Sequence, residues 1–278
     1  MLPGSLFRCR ECGLGQRQPC LRESELPKLY ERAEAAAMDY LPEENGAWSE
    51  AKRFLLQRWS PAESKAVLDI GCHTGLFLAS LPQTWQRFGI EGALLPRAHA
   101  TAEHSVEMIA DRIEDVPSSW QGRFDAVTMF DVAEHLLNPA RGLANALKLL
   151  RPGGHLLVGT ADLDAWTWRV ARGRHWYLQT PLHLSVLSRD FLARVASDNG
   201  VVLVELKPIP HQRASISVRC NDFVETVYAG LRDRGGVYRI PQRLLHSLPG
   251  LARLRHMQAI RWSMTLRDHM FAALRSDA

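Results

Sequence analysis

Between residues 65 and 210, short apolar runs alternate with amphipathic helical stretches, and this alternation constrains the fold more than any other feature of the chain. Strands separated by helices are parallel neighbours, because a parallel pair needs a crossover connection whereas an antiparallel pair can be joined by a tight turn. The pattern predicts strands at 66–70, 87–91, 105–110, 125–130 and 155–160, with "VVLVELKPI" (201–209) as a sixth. Helix signals fit between them. In "NPARGLANALKLLRPGG", Asn138 can cap, Pro139 suits the first turn, Leu143, Leu147 and Leu150 form a stripe, and Gly153-Gly154 ends the helix. "SRDFLARVASDNG" repeats the grammar, with Ser188 as cap, Phe191, Leu192 and Val195 as the buried face, and Asn199-Gly200 as terminator.

Around this core of residues 63–210 the chain divides into three further parts. Residues 1–27 are rich in Arg, Gly, Pro and Cys and read as an irregular lead-in. Residues 28–62 read as a helical arm with a break at "LPEENG", after which Trp48, Phe54, Leu55 and Trp59 supply the apolar positions. Residues 211–278 hold helix-like stretches near 219–234 and 241–261, and "TLRDHMFAALR" (265–275) as a closing strand. The basic amphipathic stretch 241–261 can lie on a membrane surface, but packing against the protein's own core is the commoner use of such a helix.

Composition removes several classes of function. The 34 basic and 30 acidic residues are spread along the chain, so the net charge of +4 marks no concentrated nucleic-acid-binding patch. No run approaches the roughly 18 apolar residues of a membrane helix, and no signal-peptide pattern opens the chain. A cytoplasmic location is expected. Five cysteines, an odd number, read as reduced thiols rather than a disulfide framework. Cys9, Cys12 and Cys20 contain one C-x-x-C pair, half of a zinc site that needs four ligands, so no metal is assigned.

In an open parallel sheet, ligands bind outside the carboxyl ends of the strands. "VLDIGCHTGLF" (67–77) places Asp69 at the end of the first strand, followed by Gly71 and Gly75, and Glu91 stands at the end of the second. A carboxylate there can accept both hydroxyl protons of a ribose. The turn reads D-x-G-x-x-x-G rather than the G-x-G-x-x-G of a dinucleotide fold. An acid before the first glycine repels phosphate but suits a ligand that carries an ammonium group, such as S-adenosylmethionine. His73 stands where such a turn usually has a glycine; His is tolerated at positive φ at a strain of about 1 kcal/mol.

Residues 65–206 resemble the class I S-adenosylmethionine-dependent methyltransferases, of the broad group similar to the ubiquinone-type and polysaccharide-cluster enzymes. The resemblance is carried in order by "VLDIGCHTGLFLASL", "FGIEGALLPRAHA", "DRIEDVP", "FDAVTMFDVAEHLLNP" and "ALKLLRPGGHLLVGT". It implies a doubly wound, mostly parallel seven-stranded α/β sheet of the Rossmann-like methyltransferase type, with a helical insertion before the last strand, and S-adenosyl-L-methionine as cofactor. By that resemblance Asp69, Gly71, Cys72, His73 and Gly75 would line the methionine and ribose end and Glu91 would hold the ribose hydroxyls. Ile113 and Glu114 would flank the adenine, and Phe130 and Asp131 would floor the sulfonium. "RCRECGLGQRQP" also resembles the last half of a zinc-ribbon lead-in, without its upstream C-x-x-C.

Methyl transfer is an in-line displacement for which the protein orients two substrates and removes at most one proton. Glu134 and His135 just past the fourth strand, and His183 in "WYLQTPLHLSVLS", are the candidate catalytic residues; Trp166, Trp168, Trp176 and Tyr177 can wall an acceptor pocket. The expected function is methylation of a small-molecule acceptor, foremost on oxygen, with nitrogen or carbon open. Two other readings stand beside it: a non-catalytic cofactor-binding or interaction domain, and a peripheral membrane enzyme acting on a lipid-linked acceptor.

Overall fold

The computed structural model describes residues 5–18, 45–171, 175–232 and 265–277. A seven-stranded sheet forms its centre, built from β3 (Ala66–Ile70), β4 (Gln86–Ile90), β5 (Glu107–Ala110), β6 (Phe124–Phe130), β7 (Leu150–Ala161), β9 (Val202–Ile209) and β10 (His269–Arg275), in the order β5-β4-β3-β6-β7-β10-β9. The β5-to-β7 half is parallel, while β10 runs antiparallel to both β7 and β9. The central strands are buried on both sides, as parallel strands covered by helices must be: every residue of β6 is buried. Leu68, Val127, Leu143, Leu156 and Phe191 anchor the apolar layer on one face of the sheet, and Phe54, Phe77, Leu78, Leu157 and Phe271 the layer on the other.

The helices follow from their caps. Asn45 Oδ1 accepts from the Trp48 amide at 3.0 Å and opens α1 (Gly46–Leu56), so the break at "LPEENG" is a helix start. Short α2 (Leu76–Ala79) and α3 (Leu94–His104) follow β3 and β4. Asn138 caps α4 (Pro139–Lys148), with Pro139 in its first turn, and Ser188 Oγ accepts from the Phe191 amide at 3.1 Å to cap α6 (Arg189–Asp198). Between them lies α5 (Trp166–Ala171), and α7 (Ile216–Arg232) follows β9. None of the helices among the described residues is long and apolar enough to cross a membrane. The stretch 241–261 and residues 28–44 of the arm lie outside the described residues.

Four details differ from the sequence reading. The second strand stops at Ile90, leaving Glu91 one residue beyond it and free to turn its carboxylate back over the sheet edge. The third begins at Glu107, because Ser105 takes a left-handed φ of 53° to end α3. Gly153-Gly154 does not terminate α4; the helix ends at Lys148 and both glycines lie inside β7, where the Gly153 amide donates to the Ser276 carbonyl at 2.8 Å. Lastly, residues 5–18 of the lead-in are regular: β1 (Ser5–Arg8) and β2 (Gly15–Gln18) form a hairpin that adds the short β8 (Ser185–Val186) as a third strand. Arg8 ties this hairpin down through Asp164 (2.5 Å) and Asp190 (3.1 Å). Cys9 and Cys12 sit in its turn as free thiols.

Candidate active site

The glycine turn after β3 needs its glycines for space. Gly71 has φ 72°, and a Cβ there would lie 2.4 Å from Val132 Cγ2; Gly75 has φ 79°, and a Cβ there would lie 3.0 Å from the side chains of Ala100 and Val106. His73 lies between them at φ 47°, the left-handed conformation expected of it, with its side chain exposed. Its backbone N–H donates to Glu91 Oε2 at 2.9 Å, and the Ala93 amide donates to Oε1 at 2.8 Å. Glu91 thus braces the turn and still has lone pairs for two ribose hydroxyls, since a carboxylate offers about four acceptor positions.

Asp69 is buried beneath the turn, accepting from Thr128 Oγ1 at 2.6 Å. Burial pushes its carboxyl up to about 7, against the lowering effect of the Thr128 hydrogen bond and with help from the nearby Glu91 charge. Burial, followed by the charges of Asp69 and Glu91, likewise raises the Cys72 thiol. The adenine-side pair divides: Ile113 is buried in the core, whereas Glu114 is exposed and faces Arg112 at 3.7 Å. Phe130 packs edge-on against Phe77 with centroids 4.9 Å apart, and Asp131 follows at a left-handed φ of 53°. The turn and the β6 end therefore lie side by side at the carboxyl ends of the strands, with the carboxylates of Asp69, Glu91 and Asp131 around them.

The turn 133–135 brings the proton-handling candidates together. Glu134 is fully buried and accepts from Thr160 Oγ1 at 3.1 Å and from the Tyr177 hydroxyl. Burial, and then the charge of Asp131, raises it to about 7 although the Tyr177 hydrogen bond opposes this. His135 Nδ1 donates to the Leu182 carbonyl at 3.0 Å, and His183 Nδ1 to the Tyr177 carbonyl at 2.7 Å. The carbonyls fix the protons on Nδ1, so each Nε2 carries a lone pair. Burial lowers the pKa of both rings, and His135 adds to the lowering at His183. The two rings meet at 4.9 Å, and one ligand atom from each of Glu134, His135 and His183 lies within 4.8 Å of the others.

Two histidines absent from the sequence reading complete the rim. His211 follows β9, and its Nε2 lies 3.1 Å from Asp131 Oδ2; His269 opens β10, with Nε2 3.8 Å from Asp131 Oδ1. Burial alone would raise the Asp131 carboxyl, but the His211 charge and hydrogen bond, followed by His269, outweigh it and hold Asp131 down at about 2. Burial opposes a charge on His211, yet the Asp131 carboxylate prevails and raises that ring. Of the tryptophans, Trp176 belongs to this wall: it stacks on His269 at 5.7 Å and donates its indole N–H to Asp268 Oδ2 at 2.8 Å. Trp166 instead packs on Phe223 at the surface, 5.5 Å away.

A mostly parallel, doubly wound seven-stranded sheet with a glycine turn after β3 defines a class, the Rossmann-like methyltransferase fold. The family model described as "Methyltransferase domain" matches residues 40–206, and the chain belongs to that family, the class I S-adenosylmethionine-dependent methyltransferases, whose cofactor is S-adenosylmethionine. Among curated proteins it is similar to the ubiquinone biosynthesis O-methyltransferases of Pectobacterium atrosepticum (28% identical over 124 residues, 42% of this chain and 52% of that one) and Serratia proteamaculans (29%, with the same shares). The match spans about half the length of these relatives. Among solved structures it resembles the N-methyltransferase NodS from Bradyrhizobium japonicum with bound S-adenosyl-L-homocysteine (TM-score 0.53, 16% identity, 90% of this chain and 99% of that one). It also resembles the [4+2]-cyclase SpnF (TM-score 0.52, 16%, covering 90% and 92%). Likeness at this level shows the fold, and the fold carries more than one reaction.

Proposed function

We propose that this chain transfers the methyl group of S-adenosylmethionine to a hydroxyl oxygen of a small-molecule acceptor. The observation that carries the reading is His135, an imidazole in the turn after β6 whose pKa burial lowers, whose Nδ1 is tied to the Leu182 carbonyl and whose Nε2 is left as a proton acceptor. The curated relatives, ubiquinone biosynthesis O-methyltransferases, support an oxygen acceptor.

When bound, the cofactor supplies an electrophilic methyl group on a sulfonium. Asp69 and the 71–75 turn would hold its methionine end, Glu91 its ribose and Phe130 with Asp131 the floor under the sulfonium. His135 takes the hydroxyl proton, and His183 beside it is the second acceptor. A general base of this kind contributes about 10²- to 10⁴-fold in rate. Glu134 is fully buried and its bonds to Thr160 and Tyr177 fix the turn that carries His135, so we assign it positioning rather than proton transfer. The left-handed His73 lets the turn keep the path a glycine would give it, which supports turnover over a retired cofactor-binding domain.

The test uses methyl-labelled cofactor and a panel of catechols, other phenols, amines and activated carbons. Label on oxygen, with a fall of 10²-fold or more in kcat for His135→Asn and an unchanged affinity for S-adenosylhomocysteine, is the expected result. Label only on nitrogen or carbon overturns the oxygen assignment, and cofactor binding with no product across the panel overturns the activity.

A further inference from the structure

We infer that Asp131, His211 and His269 form a site for a divalent transition-metal ion of the zinc type. The three residues come from the ends of β6 and β9 and the start of β10, which lie around the carboxyl end of β7 in the sheet order. One ligand atom from each lies within 4.8 Å of the other two, and the contacts to Asp131 measure 3.1 Å and 3.8 Å. Ligands about 2.1 Å from a tetrahedral ion stand roughly 3.4 Å apart, so small side-chain rotations close the set. Two imidazoles and one carboxylate are the donor types that borderline divalent ions take, and three protein ligands leave a position open.

The state of His269 is the independent observation. The ring is 2% exposed, and its Nδ1 lies 2.9 Å from Asp268 Oδ1, a carboxylate held by the Trp176 indole N–H. That contact occupies Nδ1, so Nε2 is the nitrogen left to meet a ligand. Nε2 has no hydrogen-bond partner among the described residues, yet it is aimed at Asp131 Oδ1 from 3.8 Å, too far for a hydrogen bond. A buried ring nitrogen without a partner costs free energy, and an ion placed between it and the Asp131 carboxylate would satisfy both. The carboxylate–histidine pair behind it is the outer-shell support that metal-binding imidazoles ordinarily have. The neighbouring cluster Glu134, His135 and His183 lacks this character, because among the described residues neither of its histidines has a buried ring nitrogen without a hydrogen-bond partner. No metal was expected from the sequence, since the ligands lie 80 and 138 residues beyond Asp131.

The experiment uses the full chain carrying Cys9→Ser, Cys12→Ser, Cys20→Ser and Cys220→Ser, so that neither the lead-in cysteines nor the exposed Cys220 can take the ion. After chelation and dialysis, Zn²⁺ is titrated against a chromophoric competitor and Co²⁺ binding is read from its visible absorption. One ion per chain is expected, weakened at least 100-fold by His269→Asn and by His211→Asn, 10- to 100-fold by Asp268→Asn, and unaffected by His183→Asn. Far-UV circular dichroism of each metal-free variant separates ligand loss from misfolding, and His211→Asn, on a loop, stands in if the strand variant fails to fold. No stoichiometric binding overturns the site, as does binding that survives both histidine substitutions or is abolished by His183→Asn. The inference needs only the fold, so its failure leaves the methyl-transfer reading standing, and a failure of methyl transfer leaves the metal titration interpretable.

Discussion

The backbone N–H of His73 donates to Oε2 of Glu91 at 2.9 Å, so the residue in the glycine position of the turn and the acid at the end of the next strand are one unit. The bond comes from the main chain, and the imidazole itself is exposed. His73→Gly therefore keeps the bond and removes a left-handed strain of about 1 kcal/mol, while adding a chain-entropy cost of similar size. The expected outcome is a stability change within about 1 kcal/mol and an affinity for S-adenosylmethionine, by titration calorimetry, at least as high as in the unaltered chain. A tenfold or greater loss would show that the imidazole touches the cofactor.

Glu91 accepts two backbone amides through both oxygens. In Glu91→Gln one of these amides faces an NH2 group, and the ribose loses a charged acceptor; charge-assisted hydrogen bonds are roughly twice as strong as neutral ones. Cofactor affinity should fall 10- to 100-fold, with faster hydrogen exchange at His73 and Ala93. Loss of affinity with unchanged exchange would confine Glu91 to the ligand and separate it from the turn.

The parts of this site that were legible in the sequence are those written in consecutive residues. Asp69, Gly71, Gly75 and Glu91 follow from a strand end and a turn that needs its glycines, and Asn138 and Ser188 from caps, because those constraints act within a few residues. His211 and His269 were not legible. To place His269 beside Asp131 one must know that β10 runs antiparallel, so that its first residue, not its last, stands at the rim. The hairpin at 5–18 was hidden for another reason: its four-residue strands lack sustained alternation, and what holds them is β8 and the ion pairs of Arg8, both far along the chain. Gly153-Gly154 looks like a helix stop in sequence, yet backbone hydrogen bonds exchanged with Ser276 draw that segment into β7.

The buried Asp69 carboxyl, raised to about 7, makes cofactor binding depend on pH. A ligand with an ammonium and a sulfonium favours the ionised acid, so binding releases a proton when the free protein holds one. Affinity should rise as pH increases from 6 toward 8 and level off above the folded pKa, with a slope of up to tenfold per unit below 7. Asp69→Asn should flatten the profile. Calorimetry in buffers of different ionisation enthalpy measures the proton released, and none released at pH 6.5 would refute the linkage.

The hydroxyl of Tyr177 and that of Thr160 share the fully buried Glu134. Removing one donor leaves a buried acceptor under-satisfied, so Tyr177→Phe should lower stability by about 1–3 kcal/mol. Glu134→Gln keeps a carbonyl for the hydroxyls and should change stability by less, while Glu134→Ala, which strands both hydroxyls and opens a cavity, should be the most damaging of the three. Denaturant unfolding gives the order directly. Equal losses for Gln and Ala would mean that the negative charge, rather than the hydrogen bonding, holds the turn.

His155 gives the fold a measurable weakness to acid. Its ring is buried on β7 against Phe54, with centroids 5.2 Å apart, and its Nδ1 has no hydrogen-bond partner among the described residues. Burial lowers its pKa to about 4, assisted by the charges of Arg58 and Arg275. The folded value lies below the unfolded one, so between about 6.5 and 4 the unfolded chain takes up a proton that the folded chain refuses. Stability therefore falls as pH drops through that window and is unaffected by this group above it. The contribution is roughly 2 kcal/mol at pH 5 relative to pH 7. His155→Phe keeps an aromatic ring against Phe54 and cannot be protonated. The difference in unfolding free energy between variant and parent should shift in favour of the variant by about that amount between pH 7 and pH 5, and a pH-independent difference would show that acid unfolding has its origin elsewhere.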